Sequence, residues 1–277
     1  RLTTPLSSAN SGHETWRAYP RVRYSQDGKP ASVPDPLAVE EPLEMRVRGH
    51  AIAVVMRTPG RERDLLAGFL ASEGVITQGD ELLAVEACFD PETDKPAPHV
   101  WNAALAEGVS FDPDRSRFAV VGSSCGLCGT RTLEELEKDL PKLAPAPVQV
   151  VDLLEPGFAQ LRQVQPLFEA TGAVHGAALL TEQGELLDFA EDVGRHNAVD
   201  KILGARLLAD DYPVVKPLTL LVTGRISFEI VQKAALAGVP VLAGIGAPTG
   251  LAVELATRAE QTLFGMVRNG GANRYGI

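Results

Sequence analysis

Three features of the chain point to an α/β fold. Its second half alternates buried-type strands with helices at 218–223, 227–237, 239–245, 251–258 and 262–267, a βαβαβ run that calls for a parallel sheet covered by helices. Its first half mixes hairpins with one helix, the grammar of an α+β unit. The length, 277 residues with 45% hydrophobic and 22% charged, is enough for roughly two domains of ordinary size.

The elements follow in order. Residues 1–42 are rich in Pro, Ser and charge, with Pro30, Pro34, Pro36 and Pro42 closely spaced, and read as an extended or poorly ordered N-terminal arm. Segments 43–47 and 51–57 flank the turn-like Arg48-Gly49-His50 as a hairpin. Residues 61–72 carry Leu65, Leu66, Phe69 and Leu70 at helical spacing, and Gly74 suits the left-handed residue after the helix. Strands at 82–89, 100–105 and 118–121 complete an α+β domain over 43–140. The last of them runs into GSSCGLCG at 122–129, and Thr132 with Glu135 has capping-box spacing, so Cys125 and Cys128 precede a helix N-terminus. Pro141, Pro145 and Pro147 mark the boundary to an α/β domain over 148–277, where 173–181 and 186–192 form a hairpin. Residues 197–208 then place Ala198, Val199, Ile202 and Leu203 on one helical face before the βαβαβ run begins.

Charge and composition remove several function classes. A net charge of −10 argues against a nucleic-acid binder, which needs a basic face, and any anionic ligand must be met by local donors. No apolar run of about 18 residues and no basic-then-apolar leader pattern occur, so a membrane partner and secretion are not expected. Three cysteines, Cys88, Cys125 and Cys128, are too few for a disulfide framework and suit a reducing, cytoplasmic setting.

The Cys125/Cys128 pair admits four readings. A thiolate near a helix N-terminus has a lowered pKa, which serves a redox dithiol or a sulfur carrier equally well. A zinc site needs two further ligands, and neither a second CxxC nor an HxxxH is present; a half-site and two inert cysteines complete the set. The thioredoxin-like reading is weakened because hairpins and one helix, not a βαβ unit, precede the pair. Cys88, in an apolar strand, reads as core.

Elsewhere, His175 sits among small and apolar residues and reads either as a satisfied core histidine or as a ligand group. The segment 191–197 packs Glu191, Asp192, Arg195, His196 and Asn197 ahead of a helix, with Asp200 and Lys201 a turn later, and suits a polar ligand or a fixed backbone turn. Arg225 precedes the candidate N-cap Ser227, a placement for a phosphate or a salt bridge. Loops at 223–225, 246–250 and 268–271 fall at the carboxyl ends of the parallel strands, where α/β sheets form their ligand crevice. Two lead into helix N-termini, which attract phosphate.

Several long segments in order resemble the FdhD family, the sulfur carriers required for formate dehydrogenase activity. They are EEPLEMRV, MRTPGRERDLLAGFLASEGVI, CGLCGT, TGAVHGAALL, EDVGRHNAVDKILGA, TGRISFEIVQKAALAGVPVLAGIGAP and LAVELA, spread from about Glu41 to Tyr275. The resemblance implies a sulfurtransferase that takes persulfide sulfur from a cysteine desulfurase and passes it to the molybdenum bis-molybdopterin guanine dinucleotide cofactor. It implies Cys125 as the persulfide-bearing residue with Cys128 as partner, and a C-terminal domain resembling the cytidine deaminase fold. Cofactor contacts map onto Met266, Val267, Arg268, Asn269, Gly270 and Gly271, and Arg225, His175, Arg195 and His196 join them as candidates. One guanosine diphosphate (GDP) arm of the cofactor suits the strand-end loops, and the ligand's twofold shape suits a homodimer. Ala173 stands where the family commonly has a second glycine, and Gly271 where it commonly has a basic residue, leaving Arg268 and Arg274 as the cations there. Deaminase activity is not expected, because Ala177 occupies the glutamate position of HxE and the CxxC precedes the histidine. The competing readings are a cofactor-binding chaperone without sulfur chemistry and a zinc or redox dithiol protein.

Overall fold

The computed structural model describes residues 14–24, 30–90, 92–93, 95–112, 140–144, 150–216 and 218–276. Cys125, Cys128, the strand expected at 118–121 and the Thr132/Glu135 capping pair lie outside them. Among the described residues no helix is long and apolar enough to cross a membrane.

The N-terminal arm is extended, as expected, but paired. β1 (Trp16–Tyr24) and β2 (Pro30–Ala38) form an antiparallel ribbon. Its prolines fall on alternate pairs, Ala18↔Pro36, Pro20↔Pro34 and Tyr24↔Pro30. Antiparallel pairs alternate between hydrogen-bonded and non-bonded, so this parity keeps every proline off a donating position.

A four-stranded sheet follows, with β3 (Glu41–Val47), β4 (His50–Arg57), β5 (Leu82–Asp90) and β6 (Lys95–Leu105) in the order β4-β3-β6-β5. The expected hairpin at its start is present; Arg48 and Gly49 both have positive φ, 48° and 82°, the twist that a two-residue hairpin turn requires. Helix α1 (Glu62–Ser72) ends at Gly74 with φ 69°, where Gly74 N–H donates to Ala71 O and Val75 N–H to Leu70 O, closing the helix in a Schellman motif.

The second sheet has six strands, β7 (His175–Leu180), β8 (Leu186–Asp192), β9 (Thr219–Val222), β10 (Val241–Gly244), β11 (Thr262–Arg268) and β12 (Gly271–Tyr275), in the order β12-β11-β10-β9-β7-β8. β9, β10 and β11 are parallel, as the βαβαβ pattern requires. The helices of this half are α2 (Val151–Gln163), α3 (Pro166–Thr171), α4 (Arg195–Leu208), α5 (Phe228–Leu236) and α6 (Gly250–Arg258). Strand alternation sorts the core into two faces. Leu220, Val222 and Leu242 join the cluster that holds α4, α5 and α6 residues, whereas Leu221, Val241 and Ala243 join Leu154 and Leu161 of α2. The result is a three-layer α/β arrangement. Gly157 lets α2 ride close on β7, since a Cβ there would collide with the Leu180 side chain.

The first cluster also contains Leu43, Met45, Leu65, Leu66 and Leu70, so one hydrophobic core runs through both halves. α1 and α4 meet backbone to backbone within it. A Cβ on Gly68 would fall on the Asp200 carbonyl, and one on Gly204 on the Asp64 carbonyl. Buried ion pairs frame the crossing. Lys233 Nζ donates to Asp200 Oδ1 and Oδ2 at 2.8 and 2.9 Å, Ser72 Oγ donates to Asp200 Oδ1 at 2.8 Å, and Lys201 Nζ lies 2.7 Å from Asp192 Oδ2. Asp192, Asp200, Lys201 and Lys233 are all buried.

Two expected outcomes follow. Gly204→Ala forces α1 and α4 apart and lowers unfolding free energy by about 1–3 kcal/mol or more, measured by denaturant titration; an unchanged midpoint would mean that the helices are not in backbone contact. Lys233→Met strands the Asp200 carboxylate and costs about 3–5 kcal/mol, most of it recovered by adding Asp200→Leu.

Candidate functional site

The strand-end loops of the parallel sheet meet as one ledge. Ile226 N–H donates to Ala247 O at 3.2 Å, Thr249 N–H to Ile226 O at 3.0 Å and Met266 N–H to Gly246 O at 3.1 Å. Gly246 is required at the junction, because a Cβ there would lie 2.6 Å from Gly224 O. The 223–225, 246–250 and 268–271 loops therefore occupy the same edge, as the parallel reading expects.

Two sequence candidates, His175 and Arg195, flank Gly224, and the charges of Arg195, His196 and Arg225 all act on His175. A Cβ on that glycine would lie 3.3 Å from Arg195 Cδ and 3.4 Å from His175 Nδ1. His175 arrives on the first residue of β7, Arg195 and His196 on the first turn of α4, and Arg225 just after β9. His196 Nε2 lies 2.7 Å from Glu229 Oε2 and 3.3 Å from Ser227 Oγ, which binds the imidazole to the start of α5. Burial raises the Glu229 carboxyl, but the hydrogen bond and charge of His196, with Lys233 and Arg195, more than reverse this and hold it below the usual range.

The segment 191–197 resolves into two roles. Asp192 fixes the turn: its Oδ1 accepts from Gly194 N–H at 2.8 Å and Asn197 Nδ2 at 2.9 Å, and its Oδ2 from Thr58 N–H at 3.2 Å. Asn197 Nδ2 also donates to Met56 O at 2.8 Å, so this side chain braces the turn and Gly194, not Asn197, occupies the N-cap. Glu191 takes the N–H groups of Leu167 and Phe168 at 3.0 and 2.7 Å. Arg195 and His196 remain on the ledge.

Two guanidiniums stand close together in the cluster. The Arg195 Nε is buried without a hydrogen-bond partner among the described residues. Burial, then the nearby Arg225, lowers the Arg195 pKa, against the opposing pull of Glu229. A guanidinium does not give up its proton near neutrality, so Arg195 stays charged beside Arg225.

The 266–271 candidates sit further along the edge. Met266 has φ 57° at the irregularity between Gly265 and Arg268, and Val267 is buried against the α2 face of the sheet. Arg268 to Gly271 form a hairpin turn into β12, with Asn269 at φ 53° and Gly270 at φ 74°. Gly270 N–H donates to Glu155 Oε1 at 3.2 Å, so this turn's amide is already engaged by a carboxylate. Gly246 joins Met266 to the Gly224 cluster, whereas the Arg268 side chain is exposed. No group of three or more His, Cys, Asp or Glu side chains is placed to hold a metal ion among the described residues.

Residues that the sequence reading did not single out complete the site. Glu229 orients His196; the signal was an acid two residues past the N-cap Ser227. An open pocket of about 460 Å³ adjoins the cluster, lined in part by Phe158, Gln165, Phe168, His175 and Thr223. It lies in α2 and α3, which the sequence reading left unassigned.

The fold and this edge define an α/β protein with arginines and histidines gathered at the carboxyl ends of parallel strands. The FdhD/NarQ family model matches residues 38–276, and the chain belongs to that family. It is 42% identical over 259 residues to the sulfur carrier protein FdhD of Streptomyces avermitilis, covering 90% of each chain. The sulfur carrier protein FdhD of Mycobacterium tuberculosis is 41% identical over 266 residues, covering 93% of this chain and 96% of the relative. A crystal structure from Desulfotalea psychrophila, of a protein proposed as a formate dehydrogenase accessory protein, superposes with TM-score 0.75 at 24% identity, over 94% of this chain and 97% of that one, and bears out the α/β fold.

The cluster generates a pH dependence. Burial first, then Arg195 and His196, holds the His175 imidazole below its usual 6.5, with Arg225 adding to the effect and Asp192 opposing it, so the ring is neutral at pH 7. A bound anion favours the protonated ring, so binding and protonation are linked. Affinity for sulfate, whose charge is constant across about pH 5–8, then rises as pH falls, by at most about tenfold per pH unit. Calorimetric titration should show this in the wild type and a flatter profile in His175→Asn; a pH-independent wild type would contradict it.

Proposed function

We propose that the protein is a sulfur carrier that accepts persulfide sulfur from a cysteine desulfurase on Cys125 and delivers it to the molybdenum bis-molybdopterin guanine dinucleotide cofactor of formate dehydrogenase. The observation that carries this reading is the family membership, over residues 38–276, together with a CxxC at Cys125 and Cys128 in a chain whose close relatives are called sulfur carrier proteins. In the loading step the Cys125 thiolate attacks the terminal sulfur of the desulfurase persulfide. One S–S bond forms, one breaks, and the donor cysteine leaves as thiolate, so no external oxidant is consumed. Delivery would break the S–S bond of the Cys125 persulfide, the outer sulfur leaving at the sulfide level and Cys125 returning to the thiol, with the two electrons and two protons supplied by a cellular thiol reductant.

The Arg195, Arg225 and His175 cluster supports a phosphate-bearing client, since two guanidiniums near a neutral imidazole attract a diphosphate more strongly than a neutral ligand. A GDP arm of the cofactor supplies that group, with Met266 to Gly271 as the further contact. In this reading the 43–140 domain carries the sulfur, the 148–277 domain holds the cofactor, and the protein works in the cytoplasm as a homodimer.

Incubation with a cysteine desulfurase and cysteine should add the mass of one sulfur atom to the peptide containing Cys125. Cys125→Ala should gain none and should fail to restore formate dehydrogenase activity in cells lacking the protein. Full restoration by Cys125→Ala would sink sulfur transfer and leave a cofactor-binding chaperone.

A further inference from the structure

We propose that the free edge of β1 in the N-terminal ribbon pairs with the free edge of β5 in a second copy of the chain, so that two copies close a dimer through two reciprocal strand contacts. This rests on the homodimer reading above and names the surfaces that make the dimer.

Both edges lack a partner within one copy. The ribbon is a two-stranded sheet, and β5 is the last strand of the order β4-β3-β6-β5, so among the described residues each is paired on one side only. A ribbon of two strands is marginal in water by itself, and an uncovered edge is a template for another strand. Both edges also expose apolar side chains. On the ribbon Val22 is 53% and Tyr24 77% exposed; on β5 Leu83 is 68% and Phe89 65% exposed.

Proline placement decides which side of the ribbon is open. Because the prolines sit on non-bonded pairs, their nitrogens face away from the neighbouring strand. On β2 the positions of that parity are Pro30, Ser32, Pro34, Pro36 and Ala38, so three of the five offer no outward N–H and this edge is blunted. On β1 they are Trp16, Ala18, Pro20, Val22 and Tyr24, and only Pro20 lacks the donor. β5, LLAVEACFD, has neither proline nor lysine to block pairing, and Ala84 to Ala87 run regularly between its two register irregularities.

Charge selects the pairing of β1 with β5 over like with like. β1 carries Arg17, Arg21 and Arg23; the first two pair with Glu14, Glu41 and Asp35, and Arg23 stands exposed beyond them. Residues 80–92 hold Asp80, Glu81, Glu86, Asp90 and Glu92 with no Lys or Arg, and Glu86 is exposed in the middle of β5. Two β1 edges would set arginine against arginine, and two β5 edges acid against acid, whereas the crossed pair sets opposite charges together.

The extent is sufficient. Nine residues span about 30 Å, and a contact about 10 Å wide covers roughly 300 Å² on each side, so two reciprocal contacts cover about 1,200 Å², the lower end of specific interfaces. Reciprocity leaves neither edge open. Except for Ala38, the ribbon precedes the 38–276 segment that the family model matches, so β1 can be altered without touching the shared part of the fold.

The test is sedimentation velocity of the full-length protein over a dilution series. The wild type should be a dimer. Val22→Pro, which removes an outward N–H and leaves the β1–β2 bonds in place, should raise the dimer dissociation constant about tenfold or more, since it acts at both contacts. Ser32→Pro, directly opposite on the blunted β2 edge, should leave it unchanged. The double variant Leu83→Lys, Phe89→Lys, which alters only exposed β5 side chains, should weaken the dimer as much as Val22→Pro and covers the case in which that proline unravels the ribbon. A wild-type dimer that both variants leave intact overturns the strand pairing and leaves the homodimer reading standing through another face. A wild type that is monomeric at every concentration overturns both; if it then binds a cysteine desulfurase more weakly as Val22→Pro, the ribbon's partner is the desulfurase.

Discussion

Backbone contact between α1 and α4 is the constraint from which the geometry of the ledge descends. Gly68 and Gly204 bring the two helices so close that neither position has room for a Cβ. That closeness encloses the Asp200–Lys233–Ser72 network and the Asp192–Lys201 pair in the common core. Buried pairs of this kind contribute little net stability against an apolar replacement, but they allow few alternative arrangements. The contact therefore fixes where α4 begins. Asp192 then ties Gly194, Asn197 and Thr58 together, so residues from the first half set the direction in which Arg195 and His196 leave the turn.

Periodic segments were legible in the sequence, and the misses have physical causes. The βαβαβ run, both hairpins and the Gly74 helix end follow from patterns that local sterics and strand parity enforce. The ribbon of β1 and β2 was hidden because proline density reads as disorder, and only the pairing parity reveals that each proline occupies a non-donating position. α2 was hidden by Pro156-Gly157, which reads as a turn; the glycine is there for the close approach to Leu180. At 269–270 the chain carries Asn-Gly, a strong hairpin signal, yet it reads as a ligand loop if β12 is not foreseen.

The candidate site was legible in composition but not in partition. His175, Arg195, His196 and Arg225 come from three separate segments, and the sequence offered no measure of how they gather around His175. The dense stretch 191–197 held two alternatives, ligand binding and a fixed turn; Asp192 and Asn197 make the turn, while Arg195 and His196 stand on the ledge outside it. Gln165 and its aromatic neighbours carried no motif at all, since a lone amide and two phenylalanines in a helical region resemble ordinary packing.

Anion affinity along the ledge is unevenly distributed, and the reason is local neutralisation. A chain of net charge −10 repels anions at long range, so binding depends on groups within about a Debye length of 8–10 Å. At the β11–β12 turn, Glu155 already accepts the Gly270 N–H, and a phosphate there must displace a carboxylate as well as water. At Gly224, Glu229 is committed to His196 and Asp192 to Gly194 and Lys201, and Arg195 Nε lacks a partner among the described residues. An incoming phosphate at Gly224 thus relieves two like charges, whereas one at Gly270 must first break an existing contact. Of the two places, the Arg195 and Arg225 pair is therefore the one less neutralised by neighbouring carboxylates among the described residues.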